Sequence, residues 1–195
     1  WTWFLAWRDQ GQVYRPVPPY AELPLEALRV IEDSLGDDDA ETLATFKKAL
    51  NRVYQQLAHA IIRDGEGATK FVEIMVTEAA SIEEAKTVAF TVAHSPLVKT
   101  ALFASDPNWG RILAAVGRSD LRDLDVTGVS ITINGLPIAE AGAVAANYSE
   151  AAASEAMQKE EIRIGIALRR GDCQFTVWTT DFSYDYVKIN ADYRT

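Results

Sequence analysis

Val129-Ser130-Ile131-Thr132-Ile133-Asn134-Gly135-Leu136-Pro137-Ile138-Ala139 is the stretch on which the fold turns. Apolar and polar residues alternate from Val129 to Ile133, the two-residue period of a strand with one buried face. Asn134-Gly135 follows, the pair that most readily adopts the two left-handed conformations of a tight hairpin. Leu136–Ala139 then returns as a second strand. Strands joined in this way run antiparallel, so any sheet containing them is not wholly parallel.

Working outward, further strands are expected over Lys70–Thr77, Ile162–Leu168 and Gln174–Thr180. Helices alternate with them. The longest covers Ala40–Arg63, where Leu43, Phe46, Leu50, Val53, Leu57, Ala60 and Ile61 recur at three- and four-residue spacing, the mark of one buried face. It stops at Asp64-Gly65-Glu66-Gly67, whose glycines permit a sharp reversal. Ser81 with Glu84 three residues on is a capping box that opens a helix over residues 82–94. Asp106-Pro107-Asn108 makes a turn before a helix at Trp109–Arg118, and Ser149 caps another over Glu150–Lys159. The fold class is therefore mixed α/β, an α+β layered sandwich.

Composition narrows the function. The 195 residues are 48% hydrophobic and 24% charged, the balance of a globular chain able to bury a core. Lys and Arg number 19 against 28 Asp and Glu, a formal net charge of −9, which argues against binding a phosphate backbone. One cysteine, Cys173, excludes an internal disulfide and fits a reducing compartment. With only two histidines, His59 and His94, no structural zinc site is expected. The apolar run Trp3–Trp7 is too short to span a bilayer and lacks the flanks of a signal peptide, so no membrane association is expected. The chain begins at Trp1 rather than Met, as a processing product, a fragment or a partly recorded sequence would.

Residues 1–20 hold three of the five tryptophans and close on Pro16, Pro18 and Pro19, which reads as an extended connection. Eight acidic residues and one basic, Arg29, lie between Glu22 and Glu41. Leu25, Leu28 and Ile31 suggest a short amphipathic helix there. The Asp37-Asp38-Asp39 run is read as a solvated loop capping the next helix, in preference to a metal or basic-partner site.

Several chemistries are absent from the sequence. There is no Walker-type phosphate loop, no G-x-G-x-x-G after a strand and no G-x-S-x-G elbow. His59 is expected at the surface or core rim. His94 ends its helix, where a cation would favour the negative dipole end. Cys173, at a strand start, reads as a small buried side chain. Asp64-Gly65-Glu66-Gly67-Ala68-Thr69-Lys70 is denser. Its carboxylates could clamp an ammonium and Lys70 could meet a carboxylate, the two charges of an amino acid. Spacing alone still prefers an ordinary helix-to-strand turn. Asp181–Thr195 (DFSYDYVKINADYRT) carries polar and aromatic residues to its end, which hints at a tail that docks, although a strand with satisfied hydroxyls accounts for most of it.

Three segments together resemble the β chain of the glutamate N-acetyltransferase (ornithine acetyltransferase) family: RDGEGATKF at 63–71, SPLVKTALFASDPNWGRILAAVGR at 95–118 and TDFSYDYVKINADYRT at 180–195. The likeness runs from Phe46 to Thr195, which makes 46–195 the acetyltransferase β-chain region and 1–45 a divergent or incompletely recorded segment. It implies an autoprocessed, two-chain, N-terminal-nucleophile-like enzyme of arginine biosynthesis. Acetyl would pass from N2-acetylornithine to glutamate through an acetyl-threonine, with acetyl-CoA also used by some members. It further implies an α chain from the same precursor, an α2β2 heterotetramer, no metal or organic cofactor, no nucleic acid, and a cytoplasmic or, in fungi, mitochondrial location. Thr2 would correspond to the nucleophile, Glu66 would hold the substrate amino group, and Asn190 and Thr195 would complete the pocket. The family's Ser-Thr-Asn-Asp-Thr stretch has no counterpart between Ala6 and Thr45. Two other readings stay open: an autoprocessed amidohydrolase or aminopeptidase of the same architecture, and a non-catalytic amino-acid-binding partner chain.

Overall fold

The structure, a computed structural model, describes residues 40–192 of the chain. Thr2, Thr195, the proline segment, the expected helix near Leu25–Ile31 and the Asp37–Asp39 run lie outside those residues. Two compact units divide between Ile62 and Arg63.

Before that boundary lies helix α1 (Ala40–Arg63), with the bounds its periodicity dictates. Among the described residues, four members of the face expected to be buried are exposed. Phe46, Val53, Leu57 and Ile61 are 41–55% exposed. Amphipathic spacing says that a face is suited to burial, not what covers it.

After the boundary the chain builds a six-stranded sheet from β1 (Phe71–Ala79), β2 (Ser130–Ile133), β3 (Leu136–Glu140), β4 (Ala143–Val144), β5 (Glu161–Ala167) and β6 (Cys173–Thr180). The order is β4-β3-β2-β5-β1-β6. Only β1 and β5 run parallel; the other neighbouring pairs are antiparallel. The β2–β3 hairpin turns where expected, with Asn134 at φ 50° and Gly135 at φ 83°. Asn134 does more than turn: its Oδ1 accepts the Arg163 amide at 2.8 Å and its Nδ2 donates to the Ala156 carbonyl at 3.1 Å. The turn is thereby tied to β5 and to the helix beneath it.

Alternation decides which way the sheet faces. Val72, Ile74 and Val76 of β1 are fully buried, together with Ile131 and Ile133 of β2 and Ile164 of β5. They pack against α2 (Ile82–Ala93), α4 (Trp109–Gly117) and α5 (Glu150–Met157) through Val88, Val92, Ile112, Val116 and Met157. The intervening residues of β1, Glu73, Met75 and Thr77, are half-buried on the opposite face. There Glu73 accepts from Arg163 Nε at 2.6 Å and Trp178 Nε1 at 3.1 Å. Among the described residues, one helical layer thus covers one face of the sheet.

Local caps behave as the sequence indicates. Ser81 Oγ accepts the Glu84 amide, and Glu84 Oε1 accepts from the Ala80 amide. Asn108 Oδ1 caps α4 through the Arg111 amide, and Ser149 caps α5 through that of Ala152. His94 stands at the C-cap of α2, as its place at the helix end indicates, although desolvation first and the nearby Lys99 charge second lower its pKa. Two expectations need correction. Cys173 is half-buried at the rim of the core rather than enclosed by it. The C-terminal segment is no strand but helix α6 (Tyr184–Asp192). Ser183 decides that: its Oγ accepts the Tyr186 amide at 3.1 Å, a helix cap that outweighs the aromatic β-preference of the residues after it.

Candidate functional site

Of the residues expected to meet a substrate, the structure brings two together. Asn190 Nδ2 donates to Glu66 Oε2 at 3.1 Å and to the Tyr186 carbonyl at 2.9 Å. These residues lie 124 positions apart in sequence. Glu66 sits in the turn between α1 and β1, Asn190 on α6, and both are exposed. The second bond anchors the amide on its own helix, so the carboxamide is fixed while the carboxylate faces solvent.

The junction behind this pair is closely fitted. Gly67, at φ +65°, runs so near the start of α6 that a Cβ there would lie 2.7 Å from the Tyr186 amide nitrogen and 2.9 Å from Ser183 Oγ. Only glycine satisfies both the left-handed backbone and the close approach. Ser183 Oγ donates to the Gly67 carbonyl at 2.6 Å. Two residues before Ser183, Asp181 grips the same loop: Oδ1 accepts the Thr69 and Lys70 amides at 2.9 and 3.0 Å, and Oδ2 accepts the Thr69 hydroxyl. Asp181 is 3% exposed. A buried carboxylate needs such donors to offset the hydration it loses.

Lys70 does not take the role its position suggests. It is buried, and its ammonium turns away from the loop to Ser105 Oγ at 3.0 Å and the Met157 carbonyl, with Lys159 O at 3.4 Å. It therefore closes the C-terminal end of α5 instead of waiting for a substrate carboxylate.

A second buried lysine escapes the sequence reading altogether. Lys99 lies on α3 (Pro96–Phe103), 1% exposed among Val98, Ala101 and Leu102 on the buried face. Its Nζ donates to Thr179 Oγ1 at 2.9 Å, to Thr180 Oγ1 at 3.3 Å and to the Thr180 carbonyl. Burial pushes its pKa down to about 7, with the Asp181 charge partly opposing the shift. Asp181 and Ser183 escape for the same reason. Each sits inside a recognisable motif, but its partner is long-range. The one signal available for Lys99 is a cation at the apolar spacing of a short, otherwise apolar helix.

The Lys99 shift has a measurable consequence. Unfolded, the amine titrates near 10.5 and holds its proton where the folded form, at about 7, has released it. Between those values the unfolded state binds more protons, so this group makes stability rise with pH. The melting temperature of the wild type should climb relative to Lys99→Met as pH goes from 7 to 9. Thermal melts in pH steps check this, and parallel curves would count against it. Lys70, whose pKa burial also lowers, contributes the same sign to both proteins and cancels in the difference.

Among the described residues, no group of three or more His, Cys, Asp or Glu is placed to hold a metal ion. Nor is any described helix long and apolar enough to cross a membrane.

Fold and site together define a mixed α/β chain in which an acidic turn and a C-terminal helix present a carboxylate beside a carboxamide. A family model described as the ArgJ family matches residues 27–195, and the chain belongs to that family. It is 57% identical over 157 residues to the arginine biosynthesis bifunctional protein ArgJ of Pseudomonas fluorescens, covering 80% of this chain and 39% of that protein. It is 55% identical over 164 residues to the protein of the same name from Methylococcus capsulatus, covering 84% and 40%. The chain thus spans about two fifths of the length of these curated relatives. A crystal structure of arginine biosynthesis bifunctional protein argJ from Bacillus halodurans superposes with a TM-score of 0.76 at 37% identity, covering 82% of this chain and 74% of that one.

Proposed function

We propose that this chain is the β chain of an autoprocessed glutamate N-acetyltransferase that moves acetyl from N2-acetylornithine to glutamate in arginine biosynthesis. The observation that carries the reading is the Glu66–Asn190 hydrogen bond, which unites two family motifs at one exposed point. A carboxylate fixed beside a carboxamide suits an α-amino acid: the carboxylate meets the ammonium, and the amide supplies directional hydrogen bonds.

In this reading Thr2 is the acyl carrier and Thr195 the third member of the substrate pocket. The threonine hydroxyl attacks the acetyl carbonyl, the amide C–N bond breaks, and ornithine leaves with a proton. Glutamate's amine then attacks the ester and frees the hydroxyl. The α-amine of an N-terminal Thr has an ordinary pKa of about 7.7–8.0, suited to accept the hydroxyl proton at neutral pH. That amine must be free, so the reading requires Trp1 to be absent from the mature chain. An α chain from the same precursor is the proposed partner, in an α2β2 assembly, with acetyl-CoA as an alternative donor. The bacterial relatives support a cytoplasmic location over a mitochondrial one.

The test is to express the chain with its upstream portion, supply acetylornithine and glutamate, and follow product and protein mass together. Acetylglutamate with a transient acetyl adduct on Thr2 is expected. Free acetate without acetylglutamate would make the protein a hydrolase, and binding without turnover would make it a non-catalytic partner. N-terminal sequencing that finds Trp1 retained at full activity would remove Thr2 from the mechanism.

A further inference from the structure

We propose that Lys99 is the positioning residue of the Glu66–Asn190 site. It holds the end of β6 so that Asp181 clamps the Glu66 turn against the helix that carries Asn190. The inference rests on the reading of Glu66 and Asn190 as substrate-binding groups, and nothing about Lys99 itself touches the substrate.

Lys99 is poorly placed for stability alone. At 1% exposure, a methionine would fill the same volume without desolvating an ammonium. What the lysine adds is direction. Its ammonium binds Thr179 and Thr180, its own backbone carbonyl accepts the Phe182 amide at 3.1 Å, and its Nζ lies 5.1 Å from the Phe182 ring centroid. Phe182 in turn stacks on Tyr186 of α6, with ring centroids 4.6 Å apart. One residue of α3 therefore secures the backbone on both sides of Asp181, which alternates between them and points its carboxylate at Thr69 and Lys70. The chain of contact runs from Lys99 through Thr180 and Asp181 to Thr69, three residues beyond Glu66. A second path runs through Phe182 and Tyr186, whose carbonyl holds the Asn190 amide. Both halves of the site are reached from the same residue.

The experiment compares wild type, Lys99→Met and Thr179→Val in the protein expressed with its upstream portion. The last variant deletes one acceptor of the ammonium while keeping the side-chain shape. Amide exchange of Thr69 and Lys70 reads the clamp without requiring any activity. It should quicken about tenfold in Lys99→Met while the amides of α4 keep their protection. Kinetically, KM for the amino-acid substrate should rise about tenfold with kcat changed much less, the pattern of lost ground-state positioning. Combining Lys99→Met with Glu66→Gln should cost less than the two effects multiplied, because both act on one contact. Should Lys99→Met fail to fold, Thr179→Val decides, with the same pattern about threefold in size. Unchanged exchange at Thr69 and Lys70 overturns the proposal, and so does a loss of protection shared equally by α4. A wild type without transferase activity would refute the proposed function yet leave the exchange result to decide the role of Lys99.

Discussion

Asp181→Ala should destabilise the folded protein by about 2–3 kcal/mol, because the loop donors that the buried carboxylate accepts lose a charged acceptor. The substitution strands the buried Lys70 amide, while the amide and hydroxyl of exposed Thr69 lose the same acceptor but can turn to water. Each orphaned donor costs about 1–3 kcal/mol when water cannot replace its acceptor. Removing the carboxylate also takes away the one charge that raises the Lys99 pKa, so Lys99 would shed its proton more readily. That release caps the penalty, because a neutral amine is cheaper to bury than an ammonium. Asp181→Asn separates the two contributions. Its Oδ1 can still accept both amides, and the Thr69 hydroxyl can rotate to accept from the new amide group. Its cost should therefore be under half that of alanine. Denaturant titration of both variants measures the difference, and an alanine variant less than about 1 kcal/mol below wild type would show that the clamp contributes little.

The parts of this fold that could be read from the sequence are those whose information is local. Asn134-Gly135 announces its hairpin because the turn needs two left-handed residues and little else. The caps Ser81, Asn108 and Ser149 act within three residues of themselves, and the bounds of α1 follow from its own periodicity. Where the deciding partner is distant, the sequence misleads. Phe182, Tyr184, Tyr186 and Val187 have strand-like preferences, and α6 exists because Ser183 caps it while also holding the Gly67 carbonyl. Lys70 reads as a free cation until β1 carries it into the carbonyls at the end of α5.

The candidate site divides the same way. Spacing marks residues 64–70 as dense in polar groups but prefers an ordinary turn there. Glu66 and Asn190 were legible through resemblance to a family, not through any pattern within this chain. Their approach depends on Gly67 lacking a side chain and on Asp181 reaching across 112 residues to Thr69. No linear pattern encodes such a closure. Lys99 shows the limit most clearly, since its apolar spacing places it on the buried face but names none of the distant threonines that receive its amine.

Glu66→Ala should lower kcat/KM for the amino-acid substrate about 10- to 100-fold, the loss expected when a charge-assisted hydrogen bond worth about 1.5–3 kcal/mol is deleted. Stability should scarcely move, by about 0.5 kcal/mol or less, because Glu66 is exposed and its hydrogen bond to Asn190 is a surface one. That combination sets Glu66 apart from Asp181, whose loss should unfold the site before it slows any reaction. Glu66→Gln sharpens the assignment. Glutamine can still accept the Asn190 hydrogen bond, so the pair should persist while the negative charge is gone. If the carboxylate serves to meet a substrate ammonium, glutamine should be nearly as damaging as alanine. If Glu66 serves only to hold Asn190, glutamine should restore most of the activity. Steady-state kinetics on the two variants, with melting temperatures measured alongside, distinguish these outcomes, and unchanged kinetics in Glu66→Ala would take Glu66 out of the site.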